Sequence, residues 1–481
     1  MPRAAEAGAT APASNATGVI ELASAVVVKL RTPARKRNVE LPLLGAAFLI
    51  AIGAVWLVDL GATGAADPSM LWAMGGIGAL LLLTHVVLRV VAAEADPLIL
   101  PIATVLNGLG IAMIHRLDIA EGDSGWSAFG TRQMVWTAIA IVLAITVLVV
   151  IRNHRVLQRY RYLAMLIGIV LLILPMLPII GAERNGARLW VELGVLSFQP
   201  GELAKVALAI FFAGYLVTAR DSLSMVGRTV LGIRFPRARD LGPILVVFAA
   251  SMLVLVVQRD LGTALLYFGL FLVMLYVATG RASWVILGLT LFIGGALIAS
   301  QLLSYVGGRF HSWLDAFDPD VYDAAGGSFQ LVQGMFGLAA GGMFGTGLGR
   351  GRPDITPLAE SDFIIAALGE ELGLVGLFAI LALLLLLVGR AFRIGFAGTD
   401  DFGRLLAVGL GFVIALQVFV VIGGVTRVIP LTGLTTPFLA AGGSSLVANW
   451  IIVALLLRLS DGVQTGPRLI IESPNQLVVN R

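Results

Sequence analysis

The sequence predicts an all-α polytopic membrane protein with about twelve transmembrane helices. Of its 481 residues, 58% are hydrophobic and only 13% are charged, whereas a soluble protein carries roughly 25% charged residues. The mean hydropathy is +0.95, and the apolar residues occur in long runs separated by short basic loops. A bilayer core needs roughly 17–25 apolar residues per helix. Because backbone groups cannot stay unpaired in lipid, we expect helices to form the spans.

Twelve apolar segments are predicted to cross the membrane. They are Pro42–Leu60, Met70–Val91, Leu98–Ile114, Met134–Val150, Leu163–Ile180, Leu203–Val217, Ile244–Val257, Thr263–Ala278, Trp284–Leu303, Phe363–Leu387, Leu405–Val425 and Leu434–Leu457. The polar composition of residues 1–40 and of residues 461–481 predicts a cytoplasmic tail at each end, the first of them disordered.

The basic residues predict the orientation of the spans. They fall in alternate loops, namely at Arg35, Lys36, Arg37, Arg152, Arg155, Arg159, Arg161, Arg220, Arg228, Arg234, Arg237, Arg239, Arg390 and Arg393. Lysine and arginine are enriched in cytoplasmic loops, so both chain ends are predicted to be cytoplasmic. The long loop over residues 305–362 then lies on the extracytoplasmic side, and loops of that length are usually functional.

Several classes of site are excluded by composition. The chain has no cysteine, so it has no disulfide, thiolate metal site or cysteine nucleophile. Its four histidines show no metal-ligand spacing. The pI of 9.6 reflects basic loops between spans, and we therefore expect no nucleic-acid partner.

Charged residues within or at the edges of the spans are candidate functional residues, because they are costly in lipid. Glu202 and Lys205 lie at i and i+3 on one helical face and can pair. That pair either fixes helix packing, or Lys205 helps to hold an anionic lipid head group. Arg259 and Asp260 interrupt two short apolar runs, and a broken helix at membrane depth is tolerated where it lines a cavity or is buried in protein.

Further acidic residues lie in the long loop and at its end. Asp315, Asp318, Asp320 and Asp323 combine possible bases with the anion-binding side chains of Arg350 and Arg352, which lie in a glycine-rich setting. The alternative is a solvated acidic surface. The glycines match no Walker nucleotide-binding pattern. Asp362, Glu370 and Glu371 come at the start of the next span, where an acidic group can also be a simple helix-end charge.

Ordered blocks of sequence resemble the shape, elongation, division and sporulation (SEDS) family, and are closer to its RodA-like branch than to its FtsW-like branch. The blocks are Gly186–Trp190, Phe198–Lys205, Arg259–Thr263, Gly341–Gly347, Pro357–Ile364, Gly369–Gly373, Pro430–Gly433 and Gly442–Ser445. Three departures are visible: Gly201 replaces a serine, Leu189 intrudes between Arg188 and Trp190, and residues 436–441 differ from the pattern.

The resemblance implies a domain plan and an activity. Residues 96–460 would form the ten-helix family core, preceded by two extra transmembrane helices over residues 41–95. The family implies a peptidoglycan glycosyltransferase of the bacterial cytoplasmic membrane, which polymerises lipid II on the extracytoplasmic side for cell elongation or division. The rival functions are a lipid II flippase and a non-catalytic scaffold that activates a transpeptidase. The implied partners are lipid II, undecaprenyl-linked glycan, membrane lipids and a class B penicillin-binding protein.

The resemblance also assigns roles to residues. Counting back from Ser328-Phe329-Gln330 places Asp323 in the catalytic position, with Asp318 and Asp315 as rivals. The departing diphosphate needs cations, supplied by side chains or by a bound divalent ion such as Mg²⁺ or Mn²⁺; no cofactor is otherwise implied. The candidate substrate-binding and diphosphate-binding residues are Arg188, Trp190, Glu202, Lys205, Arg259, Asp260, Arg309, Gln330, Arg350, Asp362 and Glu370.

Overall fold

The structure, a computed structural model, describes residues 34–184, 186–193, 196–224, 229–230, 233–234, 249, 252 and 256–465. Within that part of the chain, 10 helices are long and apolar enough to cross a membrane. The prediction of a helical, multi-pass membrane protein is therefore confirmed.

Helices follow one another along the described residues, and the few strands in that part of the chain are short. The helices are α1 (Ala34–Ala62), α2 (Pro68–Val91), α3 (Ile99–Glu121), α4 (Phe129–Val150), α5 (Arg155–Arg159), α6 (Arg161–Ile173), α7 (Pro200–Ser224), α8 (Leu261–Thr279), α9 (Ala282–Leu302), α10 (Ser304–Leu314), α11 (Pro319–Tyr322), α12 (Phe329–Gly341), α13 (Ile364–Ala397), α14 (Asp401–Val425) and α15 (Gly443–Thr465). The strands β1 (Gly181–Arg184), β2 (Ala187–Leu193) and β3 (Leu196–Phe198) form an antiparallel sheet in that order, and β4 (Thr229–Val230) pairs with β5 (Ile233–Arg234).

Ten of the predicted segments correspond to the ten long apolar helices, and two do not. The predicted span Leu163–Ile180 corresponds to α6 and a short 3₁₀ turn that ends at Met176, an apolar stretch shorter than the others. Pro175 lies in that turn, where its ring prevents the helix from continuing. The predicted span Ile244–Val257 lies largely outside the described residues, so the count of twelve spans stays a prediction.

The predicted span Leu434–Leu457 begins too early, because α15 starts only at Gly443. Residues 434–441 are apolar but not helical: Pro437 lacks a backbone N–H, and Phe438 has a positive φ of 66°. Backbone carbonyl groups of this irregular segment accept hydrogen bonds from polar side chains instead of from helical N–H groups. Gln417 donates to the Thr435 carbonyl over 2.7 Å, and Gln133 donates to the Ala440 carbonyl over 3.1 Å.

The region boundaries also shift by a few residues. Helix α1 begins at Ala34, inside the predicted tail of residues 1–40, and α15 continues to Thr465, inside the predicted tail that begins at residue 461. The long loop is largely structured, because it contains α10, α11 and α12.

The two ends of the bundle differ in charge. One end carries β1–β3, α10–α12 and residues 426–442, and we call it the loop face. The other end, the opposite face, carries the ends of α2 and α4 and the start of α14. Its basic residues include Arg155, Arg220 and Arg390, which pair with carboxylates of the same face.

Helices α3, α7, α14 and α15 form the interior of the bundle, where most of their apolar side chains are buried. Helix α9 lies at the periphery, because none of its residues is fully buried. The charged residues at the N-terminal ends of α7 and α8 therefore face the interior of the bundle at its loop face.

Candidate functional site

A buried ion pair lies in the first turns of α7. Pro200 begins this helix at a position where its missing N–H costs nothing. One turn later, Lys205 Nζ lies 2.5 Å from Glu202 Oε2, and the two side chains are only 2% and 7% exposed. The predicted pairing of Glu202 with Lys205 is thus confirmed. Both charges are nearly removed from water, so each depends on the other.

Gln417 of α14 is a site residue that the sequence did not single out. It is fully buried, its Oε1 accepts from Lys205 Nζ over 3.0 Å, and its Nε2 donates to the Thr435 carbonyl. It thereby ties the ion pair to the irregular segment before α15. The available signal was a single amide in the otherwise apolar stretch of α14, since polar groups inside spans usually face the bundle interior.

Three further charged groups lie beside this pair. Asp260 is buried and caps α8, accepting from the Thr263 N–H over 2.9 Å. Arg309 of α10 and Asp362, two residues before α13, interact electrostatically with Asp260. Glu202 acts on Asp260 as a like charge. We call these five residues, Glu202, Lys205, Asp260, Arg309 and Asp362, the buried charge cluster; Arg309 and Asp362, at its edge, are partly buried.

The carboxyl groups of the cluster outnumber its cations by three to two. Burial raises the pKa of Asp362 to about 6, against the opposing effect of Arg309 and with a further increase from Glu360 and Asp260. Burial likewise raises the pKa of Asp260, although the hydrogen bonds from Thr263 and the charge of Arg309 oppose that shift. Asp362 therefore stays protonated up to a higher pH than an exposed aspartate does.

Hydrogen bonds connect helix α10 to the segment that follows α14. Arg309 donates to the Leu431 carbonyl over 3.0 Å, and the Trp313 indole donates to the Arg427 carbonyl over 3.0 Å. Arg427, at a positive φ of 59°, donates in return to the Trp313 carbonyl over 2.8 Å. These reciprocal hydrogen bonds hold the loop face in one arrangement above the buried charge cluster.

The three candidate catalytic carboxylates occupy different environments on this face, and all three are exposed. Asp318 caps α11 and accepts from the Asp320 N–H over 2.9 Å. Asp315 ends α10 and lies 3.8 Å from His311. Asp323 ends α11, where its backbone N–H donates to the Pro319 carbonyl. The carboxylate of Asp318 is therefore engaged in capping, whereas Asp323 presents its carboxylate to solvent.

The segment that carries Asp323 packs on a small apolar cluster. Ala316, Leu331 and Phe363 are buried together, and Tyr322 packs against them. The Ser328 hydroxyl donates to the Ala316 carbonyl over 2.6 Å and closes the segment on itself. Phe363 of this apolar cluster directly follows Asp362. The apolar cluster therefore connects the Asp323 segment to the buried charge cluster. Gln330 lies partly buried in the first turn of α12.

Two of the predicted cationic residues line an open pocket. The pocket has a volume of about 320 Å³, and Arg188, Glu183, Gln258 and Arg259 are among its lining residues. Arg188 pairs with Glu183 over 3.1 Å at an exposed position. Arg259 has a positive φ of 60°, and its guanidinium lies 5.7 Å from the centre of the Tyr305 ring of α10.

Trp190 lies apart from the lining of that pocket, in β2, where it pairs with Ala182 of β1. The three-stranded sheet that contains Trp190 also carries Glu183, and Arg188 lies on the same strand as Trp190. Gly186 and Arg188 of the block Gly186–Trp190 thus line the pocket, whereas Trp190 does not.

Glu370 and its neighbour Glu371 bind the glycine-rich segment. Glu370 accepts from the Arg352 N–H over 2.6 Å. Glu371 accepts from the Gly349 N–H over 2.8 Å and from Arg116 of α3 over 2.9 Å. These hydrogen bonds are internal to the fold. Arg350, in the same segment, is exposed.

The described residues do not bring together a ready metal site. No group of three or more His, Asp or Glu side chains in that part of the chain is close enough to hold a metal ion. The donor set of the buried charge cluster includes Lys205 and Arg309, whose charges oppose a cation.

Comparisons with known proteins agree with this architecture. Residues 97–464 match the family model for the FtsW, RodA and SpoVE cell cycle proteins. Peptidoglycan glycosyltransferase RodA of Mycobacterium tuberculosis is 44% identical over 445 residues, covering 90% of this chain and 93% of that protein. The RodA of Mycobacterium leprae is 44% identical over 452 residues, covering 92% and 94%. Stage V sporulation protein E of Bacillus subtilis is 32% identical over 374 residues, covering 76% and 96%.

Solved structures share the fold. A chain from a peptidoglycan synthase complex that coordinates polymerization and crosslinking is 25% identical, with a TM-score of 0.52 and coverage of 83% of this chain and 98% of that chain. The rod shape determining protein RodA of Thermus thermophilus is 24% identical, with a TM-score of 0.53 and coverage of 76% and 96%. The chain therefore belongs to the FtsW/RodA/SpoVE family of cell cycle proteins, the SEDS family, on its RodA-like branch.

Proposed function

We propose that this chain is a peptidoglycan glycosyltransferase that polymerises lipid II into glycan strands with release of undecaprenyl diphosphate. The observation that carries the proposal is its 44% identity, over 90% of the chain, to a protein named peptidoglycan glycosyltransferase RodA. The exposed Asp323 carboxylate and the pair of arginines in an open pocket are the groups that such a reaction needs at the loop face.

The reaction is an inverting displacement, because an α-linked lipid diphosphate donor yields a β-1,4 bond in one step. In this proposal the Asp323 carboxylate accepts the proton of the incoming sugar 4-hydroxyl as that oxygen attacks the anomeric carbon. The bond from the anomeric carbon to the diphosphate oxygen breaks at the same time. Asp323 is favoured over Asp318, whose carboxylate caps α11, and over Asp315, which lies beside His311.

The departing diphosphate carries negative charge that cations must stabilise. Arg188 and Arg259 face one pocket, and arginine guanidinium groups match phosphate oxygens in a bidentate geometry. The Arg259 guanidinium also lies 5.7 Å from the centre of the Tyr305 ring, within the range of a cation–π interaction. Lys205 and Arg309, also on the loop face, are instead held within the buried charge cluster.

The charge distribution supports an orientation with the loop face outside the bacterial cytoplasmic membrane. The opposite face carries Lys36, Arg155, Arg220, Arg390 and Arg404, and the positive side of a membrane protein is usually cytoplasmic. Lipid II would then be consumed on the extracytoplasmic side. The likeness to a chain of a synthase complex that couples polymerization to crosslinking supports a class B penicillin-binding protein as partner.

The test is glycan-strand formation from purified lipid II in the presence of the partner. We expect Asp323→Asn to lose about 10²–10⁴-fold in rate, the usual contribution of a general base. Asp320→Asn, which removes an exposed carboxylate of the same short helix, is the matched control and should keep its activity. A fully active, folded Asp323→Asn would refute the assignment of the base.

The rival functions give different results in the same system. A flippase would move labelled lipid II across liposomes without forming strands, and a scaffold would support crosslinking equally well with Asp323→Asn. Strand formation by the wild type, abolished in Asp323→Asn with partner binding retained, excludes both.

A further inference from the structure

We propose that the opposite face contains a binding site for the phosphate head group of an anionic phospholipid. The site is an open pocket of about 410 Å³ between the start of α1, the start of α3 and the ends of α13 and α15. It lies at the other end of the spans from the proposed catalytic groups. The proposal requires only that the chain is a membrane protein, and it does not depend on the proposed catalytic function.

Three cations line this pocket against one lining carboxylate. They are Lys36 of α1 and Arg390 and Arg393 of α13, and the carboxylate is that of Asp96. Arg390 and Arg393 are three residues apart and so lie on one face of their helix. Their guanidinium groups offer donors that match the oxygens of a phosphate.

The carboxylates of the site are already engaged. Glu94 pairs with Lys36 over 2.8 Å. Asp96 pairs with Arg390 over 3.3 Å, and its other oxygen accepts from the Leu98 N–H over 2.9 Å. Within the described ranges no carboxylate lies in ion-pair distance of the exposed Arg393. Arg393 is thus the cation available to a ligand, with Lys36 and Arg390 fixed beside it.

The rest of the lining includes apolar side chains beside the polar Ser460 and Gln464, and the apolar part favours a lipid over a soluble anion. Ile394, Ala397 and Val463 line the pocket, and the neighbouring Phe396 is 71% exposed. The long apolar run of α13 ends just before Arg390, so the arginines lie where a span leaves the hydrocarbon core. Basic pockets between transmembrane helices at this depth are typical sites for anionic head groups.

Occupation of the pocket would connect the N-terminal helices to the core. Lys36 belongs to α1, outside the residues matched by the family model, whereas Arg390 and Arg393 belong to the core. A ligand bound to both parts stabilises their assembly, because binding to the folded state alone increases its stability.

The experiment measures binding of short-chain phosphatidylglycerol to the purified full-length protein in detergent, by native mass spectrometry and by the shift in thermal unfolding. Short-chain phosphatidylcholine and inorganic phosphate are the comparison ligands. We expect phosphatidylglycerol to bind and Arg393→Gln to weaken it about fivefold, the effect of one basic residue near an anionic lipid. Arg393→Lys, which keeps the charge, should retain most of the affinity.

Two further variants make the test specific. Arg159→Gln removes an exposed arginine of the same face that does not line the pocket, and it should bind as the wild type does. Ala397→Trp fills the mouth of the pocket without a change of charge and should abolish binding. Equal losses in Arg393→Gln and Arg159→Gln would overturn the site, and an equal thermal shift with inorganic phosphate alone would overturn the lipid as its ligand.

Discussion

The Glu202–Lys205 pair allows a quantitative test of how the buried charge cluster is held together. Lys205→Met removes one partner of an ion pair whose side chains are 2% and 7% exposed, with a separation of 2.5 Å between Nζ and Oε2. The remaining carboxylate is buried without a counter-charge, which costs about 3–5 kcal/mol of folding free energy. The oxygen of Gln417, which also accepts from Lys205, loses its donor in the same variant.

The double variant Glu202→Gln/Lys205→Met should be less destabilised than the sum of the single variants. Replacing both members of a buried ion pair by neutral side chains avoids an unpaired charge and is often close to neutral. We therefore expect a coupling energy of about 2–3 kcal/mol between the two positions, in the upper part of the range for contacting residues.

Thermal unfolding in detergent, followed by tryptophan fluorescence, measures this coupling. An unfolding entropy of about 2.1 cal/mol/K per residue corresponds to roughly 1 kcal/mol/K for 481 residues. The single variant Lys205→Met should therefore lower the midpoint by about 3–5 °C. Arg220→Met, at the exposed Arg220–Asp401 pair, is the control and should change the midpoint by less than about 1 °C.

Additive losses in the double variant would refute the reasoning. They would mean that the two side chains contribute independently of their charges, for example through packing alone. A small loss in Lys205→Met would refute it equally, because the unpaired Glu202 would then have found water or another cation.

Three further outcomes are expected from other parts of the structure. Because Arg309 opposes the raised pKa of Asp362, which is about 6, Arg309→Gln should raise that pKa further. The buried carboxyl group is favoured in its protonated form, so its contribution to stability falls as the pH rises from its unfolded pKa to its folded pKa. In Arg309→Gln that fall should extend to higher pH, and an unchanged profile of unfolding midpoint against pH would contradict this. Gly61→Ala places a Cβ 2.1 Å from the Leu348 carbonyl oxygen and should destabilise the protein by about 1–3 kcal/mol. The control Gly53→Ala, whose Cβ would have nothing within 4 Å, should not destabilise it. Equal unfolding midpoints for the two variants would show that the glycine-rich segment moves aside without cost. The divalent cation stays a prediction of the family resemblance, and strand formation after dialysis against EDTA, with Mg²⁺ or Mn²⁺ added back, is its measurement.

The membrane spans could be predicted from the sequence wherever a long apolar run is also a helix in the structure. Long apolar runs must be helical in lipid, and the segments from Met70 to Val91 and from Leu405 to Val425 fall within α2 and α14. Hydrophobicity alone fails for residues 434–441, which are apolar but irregular. Their backbone is satisfied by Gln133 and Gln417 from other helices, and such distant partners cannot be read from local sequence.

Parts of the candidate site were predictable for a similar reason. The pairing of Glu202 with Lys205 depends only on their spacing in one helix. The proximity of Asp260, Arg309 and Asp362 depends on how α8, α10 and the segment before α13 meet, which no local pattern encodes. The family resemblance identified all three residues as candidates without indicating that they share one cluster.

The two sets of cations on the loop face, those of the buried charge cluster and those of the open pocket, lie in different electrostatic surroundings. The buried charge cluster holds three carboxyl groups against Lys205 and Arg309, so it would repel a diphosphate while Asp362 is ionised. Arg188 and Arg259, by contrast, line an open pocket in which Glu183 is the acidic lining residue. We therefore infer that the diphosphate is bound at the pocket and that the cluster instead fixes α7, α8 and α10 around it. On this view, charge-reversing changes within the cluster should reduce stability, whereas the neutralisation of Arg259 should weaken substrate binding in a folded protein.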